Sequence, residues 1–260
     1  RLMSVVYERQ GNRPAAEEAV TRFTELRPRN PLGHIKLAEM YEALAAEARA
    51  ENRVNLEAKA LEEWQRAGVT AQDAIVMGRT LAGTGKHEDA SAWFKRAIAL
   101  QPESGDAWYE LGVLLQEREQ WSEALRAFEQ AIHVGRFESV SLADCHYRRA
   151  LVLATQGHSI EDYIGALELA VSADPQHARA RARLGSAYYE RDGDPTAAEA
   201  ELKQAIAFAP EDKWIYLLLG DVYRQEGRKE EARAMYAQAL EIDPAFSGAL
   251  TRLQAIDNEP

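Results

Sequence analysis

Gly78 and Gly112, Leu81 and Leu115, Ala90 and Ala124, Phe94 and Phe128, and Ala97 and Ala131 are each 34 residues apart. Several columns recurring together at one long step mean a repeated supersecondary unit, and such units fold by stacking on their neighbours. The columns continue, with small changes of step, at Gly185 and Gly220, Tyr188 and Tyr223, Ala198 and Ala232, Leu202 and Tyr236, Ala205 and Ala239, and Pro210 and Pro244. Each column has a physical role. Small residues such as Gly112, Ala124 and Ala131 let two helices approach to about 8–10 Å, while Phe94, Phe128 and Tyr236 fill the space between them. Gly85, Gly157, Gly193 and Gly227 stand where a first helix has to turn, because glycine tolerates the left-handed backbone that ends helices. Pro102, Pro175, Pro210 and Pro244 close the second helix.

Taken in register, these columns resemble the tetratricopeptide repeat family, and the resemblance extends over nearly the whole chain. It implies an all-α fold, a right-handed superhelical solenoid of helix-turn-helix units with about seven helical pairs. It also implies a non-catalytic interaction module that holds a protein or peptide on its concave face. The units are expected as a truncated repeat at 1–30, an atypical long helical hairpin at 31–70, five repeats over 71–246 and a capping helix at 247–257. Arg1 falls inside the first helix of the opening unit, with Gly11 at its turn, so the chain reads as part of something longer. In 31–70, Leu37, Ala38 and Tyr41 keep their columns but the second helix, with Leu56, Ala60, Trp64 and Ala67, arrives late. The intervening "EALAAEARAENRVN" reads as a projecting hairpin. Leu250, Leu253 and Ile256 give the terminal helix an apolar side, and Tyr163, standing where other units have alanine, is expected to loosen its packing or alter the local curvature.

Composition narrows the partners. The 260 residues carry a formal charge of −11 with 28% charged side chains. A surface of that sign repels phosphates, which argues against nucleic acid and anionic membranes as general partners. No apolar run approaches the roughly 18 residues of a membrane span, and no signal-peptide pattern opens the chain. The single Cys145 excludes an internal disulfide framework, which favours a cytoplasmic home without requiring one.

The chemical motifs fail on inspection. "GTGKH" at 83–87 has His87 where a phosphate loop needs Ser or Thr, and Thr80 where the spacing needs Gly. Cys145 and His146 are adjacent, whereas helical metal sites set ligands three or four apart. "GHSIE" at 157–161 lacks the closing glycine of a nucleophile elbow. No catalytic residue, cofactor or metal site is therefore expected. The concave columns where relatives clamp acidic chaperone tails read Ile75 and Arg79, Tyr109 and Val113, Tyr147 and Leu151, so that clamp is missing.

What remains is the stretch "ARARARLGSAYY", whose period-two arginines look like a strand until the register makes them the first helix of a unit. Arg179 and Arg183 then share one face, and Arg181 points elsewhere. The resemblance puts that face on the concave side, with Tyr109, Tyr147, Arg148, Tyr189, Trp214 and Arg224 as further contact residues, beside Asp106 and Leu217. Aromatics and arginines are enriched in binding hot spots. The expectation is that Arg148 and Arg183 face solvent and that the strip receives an acidic segment with one or two apolar anchors. The competing reading has Asp144, Asp174 and Glu190 neutralising the arginines with no ligand involved; like charges about 10 Å apart in water repel by only about 0.4 kcal/mol. Two other functions stay open: a regulatory arm of a larger enzyme or membrane-anchored assembly protein, and a homo-oligomer formed through an exposed solenoid end.

Overall fold

The computed structural model describes residues 13–258. Fourteen helices and no strand lie among them. The chain divides into two compact units, 1–114 and 115–260. The first holds α1 (Arg13–Leu26), α2 (Pro31–Glu47), α3 (Ala50–Arg66), α4 (Ala71–Gly83) and α5 (His87–Leu100). The division falls within α6 (Gly105–Glu117). The second unit continues with α7 (Trp121–Val134), α8 (Leu142–Thr155), α9 (Ile160–Ala173), α10 (Ala178–Asp192), α11 (Pro195–Phe208), α12 (Lys213–Gln225), α13 (Lys229–Ile242) and α14 (Ser247–Asn258). The expected opening helix and its turn at Gly11 lie outside the described residues.

The small and large columns meet as close packing demands. A Cβ on Gly78 in α4 would stand 2.4 Å from Phe94 in α5, and one on Gly220 in α12 would stand 2.4 Å from Tyr236 in α13. Only a hydrogen leaves room for the ring. Ala90, Ala97, Ala198, Ala205, Ala232 and Ala239 are buried around these contacts. In the second unit α8 pairs with α9, α10 with α11 and α12 with α13, and each second helix packs on the first helix of the following pair. The first helices α10 and α12 also touch directly.

Helix starts follow local chemistry. Thr70 and Asp73 form a reciprocal capping box at α4, and Ser141 and Asp144 form another at α8, each satisfying N–H groups that the helix itself cannot. The turn glycines Gly85, Gly157, Gly193 and Gly227 all have positive φ. The column breaks at one place: Glu119 holds φ 59 where the other units carry glycine.

The long hairpin is resolved as two helices of 17 residues, against 13–15 in α4 to α13, joined through Ala48 and Arg49. Its base is tied to α5. Arg96 lies against two indoles, 3.8 Å from the Trp64 ring centre and 4.0 Å from that of Trp93. Its Nε and Nη2 donate to Glu42 at 3.0 and 2.5 Å, and the Trp64 Nε1 donates to the same carboxylate at 2.8 Å. A guanidinium this buried needs such a partner, since an uncompensated charge would be costly.

At the C-terminal end, Leu253 and Ile256 pack on the core beneath α14 as expected, but Leu250 is 40% exposed. Phe246 and Ala249 take the buried positions instead. Tyr163 does not simply loosen its unit: it packs against the cluster around Leu167 and Leu184, with its hydroxyl directed at Arg183.

Candidate partner-binding groove

A groove of about 440 Å³ opens in the second unit, walled by α8, α10 and α12 with one residue contributed by α14. Tyr147, Arg148 and Leu151 enter it from α8, and Arg179, Ala182 and Arg183 from α10. The four-residue spacings put these side chains on one helical face. Trp214, Leu217, Leu218 and Asp221 come from α12, and Arg252 from α14. Five of the eight residues expected from sequence thus line one groove: Tyr147, Arg148, Arg179, Arg183 and Trp214.

The other three lie elsewhere. Tyr109 belongs to the first unit, on α6. Tyr189, at the far end of α10, donates its hydroxyl to Glu226 at 2.5 Å. Arg224 is half-buried on α12, outside the groove lining. Asp106 is only 2% exposed and offers no contact surface; Leu217 lines the groove although little of it is exposed.

Of the residues that could neutralise the arginines, Glu190 acts on Tyr163 beside Arg183, whereas Asp144 and Asp174 are engaged locally and Asp212 meets Arg179. Arg179 Nε donates to Asp212 Oδ2 at 2.6 Å, an ion pair that raises its already high pKa. The other Asp212 oxygen accepts the Trp214 backbone N–H at 3.1 Å and so caps α12. Arg181 turns to the opposite side, where it meets Glu201 at 2.6 Å and the Pro175 carbonyl. Asp144 is engaged by Ser141 and by His177, whose Nε2 lies 3.4 Å away and whose Nδ1 accepts the Ala180 N–H. These contacts, the His177 one foremost, hold the Asp144 carboxyl down at about 2 despite its partial burial. Asp174 caps its own turn by accepting the Gln176 N–H.

Arg148 and Arg183 both differ from the expectation in exposure, each being half-buried rather than solvent-facing. Arg183 donates from its Nε to the Tyr147 hydroxyl at 3.3 Å. Burial works against its charge, but the hydroxyls of Tyr147 and Tyr163 outweigh that and its pKa shifts upward. Its partners are phenols and not carboxylates. Asp221 is the sole carboxylate among the lining residues; it accepts from Arg252 Nε at 2.5 Å and from the Tyr236 hydroxyl at 2.8 Å. Four arginines therefore surround the groove with one carboxylate among them. Beside them Trp214 is 51% exposed, its ring held edge-on against Phe246 with centres 4.7 Å apart.

Periodicity does not reveal Arg252, which lies on the terminal helix beyond the recurring columns, or the approach of Tyr163 to Arg183. Asp212 was also missed, although it follows Arg179 by 33 residues, close to one repeat, and that spacing was the available signal. Among the described residues no group of three or more His, Cys, Asp or Glu is placed to hold a metal ion, and no helix is long and apolar enough to cross a membrane.

Paired helices, glycines under the Phe94 and Tyr236 rings and a groove walled by successive first helices define a helical repeat protein. The chain belongs to the tetratricopeptide repeat family, which matches residues 75–133 and 147–213, and again residues 190–255. Repeats of this family serve in general as protein-interaction scaffolds. A curated relative, cellulose synthase 2 operon protein C of Komagataeibacter xylinus, is 26% identical over 228 residues. The match takes in 81% of this chain but spans only 17% of that relative's length. Among solved structures, the Cut9–Hcn1 heterotetramer of the APC/C aligns over 94% of this chain and 48% of its own, with TM-score 0.62 and 14% identity. YrrB, described as a TPR protein with an unusual peptide-binding site, aligns over 74% of this chain and 96% of its own, with TM-score 0.54 and 20% identity. Likenesses at this identity establish the fold.

Proposed function

We propose that the chain is a non-catalytic scaffold and that the groove of its second unit receives an acidic segment carrying one or two apolar anchors. The observation behind this is the lining itself: four arginines, of which Arg179 and Arg252 are paired with Asp212 and Asp221, beside a half-exposed tryptophan. Guanidinium forks match carboxylates geometrically, and an aromatic shelf supplies contact area. The charge is local, since the chain as a whole is at −11. A groove of this sign attracts an acidic segment that the rest of the surface repels.

The test is fluorescence anisotropy with labelled peptides rich in Asp and Glu around a single Leu or Phe, compared with versions carrying Asn and Gln. The acidic peptides should bind and weaken with salt, and the amide versions should not. Replacing Arg148 and Arg179 together by Ala should weaken binding at least about tenfold. Thermal stability should fall little, because exposed ion pairs such as Arg179–Asp212 contribute about 0–1 kcal/mol. Equal binding of both peptide sets would refute the charge argument. Binding of neither leaves a second reading, in which the chain is a repeat arm of a longer assembly protein and meets its partner elsewhere. The match to a protein of a cellulose synthase operon favours that alternative.

A further inference from the structure

Arg183 differs from its neighbours in the groove in what holds it. Two other groove arginines meet carboxylates: Arg179 meets Asp212 and Arg252 meets Asp221. Arg183 meets the hydroxyls of Tyr147 and Tyr163. A phenol can share a hydrogen bond with the guanidinium but carries no compensating charge, and half-burial removes part of the water that would otherwise do so. The phenols can also donate, so an anion arriving at Arg183 would find O–H groups beside the guanidinium. Leu151, Ala182 and Leu217 line the same groove, and apolar walls strengthen a charge-assisted hydrogen bond made there.

We propose that Arg183, framed by the hydroxyls of Tyr147 and Tyr163, is an oxyanion subsite of the groove. It rests on the acidic-segment reading for its biological ligand, but not for its chemistry. A side-chain carboxylate and a phosphorylated side chain would both present the required oxygens. Tyr163 becomes a positioning residue: it replaces the alanine of other units in order to reach Arg183 from α9.

A buried charge held ready for a ligand costs stability when the ligand is absent, and this separates the subsite from a structural role. The experiment compares thermal unfolding of the full chain and of Arg183→Met in chloride, acetate and inorganic phosphate at matched ionic strength. In chloride the variant should unfold at or above the wild-type temperature. Acetate and phosphate should raise the wild-type midpoint beyond the general salt effect, and the variant should show only that general effect, its apparent oxyanion affinity reduced at least about tenfold. A response to phosphate without one to acetate assigns the subsite to a phosphorylated segment; a response to both assigns it to carboxylates as well. Tyr163→Phe keeps the charge and removes one hydroxyl, and should weaken the response a few-fold. Destabilisation of Arg183→Met in chloride together with an unchanged oxyanion response would overturn the proposal and make Arg183 a strut. Acidic peptides that bind without any oxyanion response would also overturn it while leaving the proposed function standing. An oxyanion response without peptide binding would do the reverse.

Discussion

The contact between Gly78 and Phe94 can be tested by a change of sign. Gly78 lies inside α4, where alanine is intrinsically favoured over glycine by about 1 kcal/mol. In this fold the new methyl would stand 2.4, 2.7 and 2.9 Å from three atoms of the Phe94 ring. Overpacking of that kind costs about 1–3 kcal/mol, so Gly78→Ala should be neutral to destabilising by about 2 kcal/mol. Phe94→Ala alone should cost about 3–5 kcal/mol, because the ring is 1% exposed and leaves a cavity. In that background the three nearest atoms are gone and the methyl enters the space they leave. Gly78→Ala should then stabilise by about 1 kcal/mol, giving a coupling of about 1–3 kcal/mol between the sites. Urea unfolding of the four proteins, followed by far-ultraviolet circular dichroism and tryptophan fluorescence, measures the cycle. The fits require coincident probes, since a chain with two compact units can depart from two-state behaviour. If Gly78→Ala has the same effect in both backgrounds to within about 0.5 kcal/mol, the ring does not lie over Gly78 and the packing register is wrong.

Glu119→Gly should stabilise the chain by up to about 1 kcal/mol: relief of the left-handed backbone strain at φ 59 is partly offset by the extra freedom glycine gives the unfolded chain. A lower urea midpoint for this variant would mean that the Glu119 side chain contributes more than its backbone costs. Asp144 predicts a pH effect. Its folded pKa of about 2 lies below the ordinary 3.8, so its contribution is complete above pH 3.8 and is lost as pH falls towards 2. The thermal midpoint of the wild type should therefore drop more steeply than that of Asp144→Asn across that window, and parallel curves would show that the Ser141 and His177 contacts do not stabilise the charged form.

Packing was legible in the sequence because it repeats. Gly78 over Phe94 and Gly220 over Tyr236 are one contact made twice, and a recurring column reveals it without coordinates. The groove was legible only in part, for the opposite reason: its polar contacts do not repeat. The column places Arg148 and Arg183 at comparable positions, yet Tyr163 approaches Arg183 from the preceding helix, α9. Whether a long side chain finds a carboxylate or a phenol depends on its rotamer and on one residue in a neighbouring element, which periodicity cannot supply. Tyr163 was visible as an exception to its column, but the direction of its hydroxyl was not. Arg252 escaped because the terminal helix follows no repeat that could be compared with it.

The Trp64 and Trp93 rings, 5.6 Å apart and inclined at 57°, give the first unit an optical signature of its own. Two indoles this near and skewed couple their electronic transitions, and the resulting circular dichroism couplet exists only while the rings keep their mutual angle. Trp121 and Trp214 belong to the second unit and do not contribute to that couplet. Arg96, in contact with both rings, makes the signal a sensor of a single guanidinium. Melting of the long hairpin from α5 can thus be watched by light alone, with no label attached, while the groove is being filled.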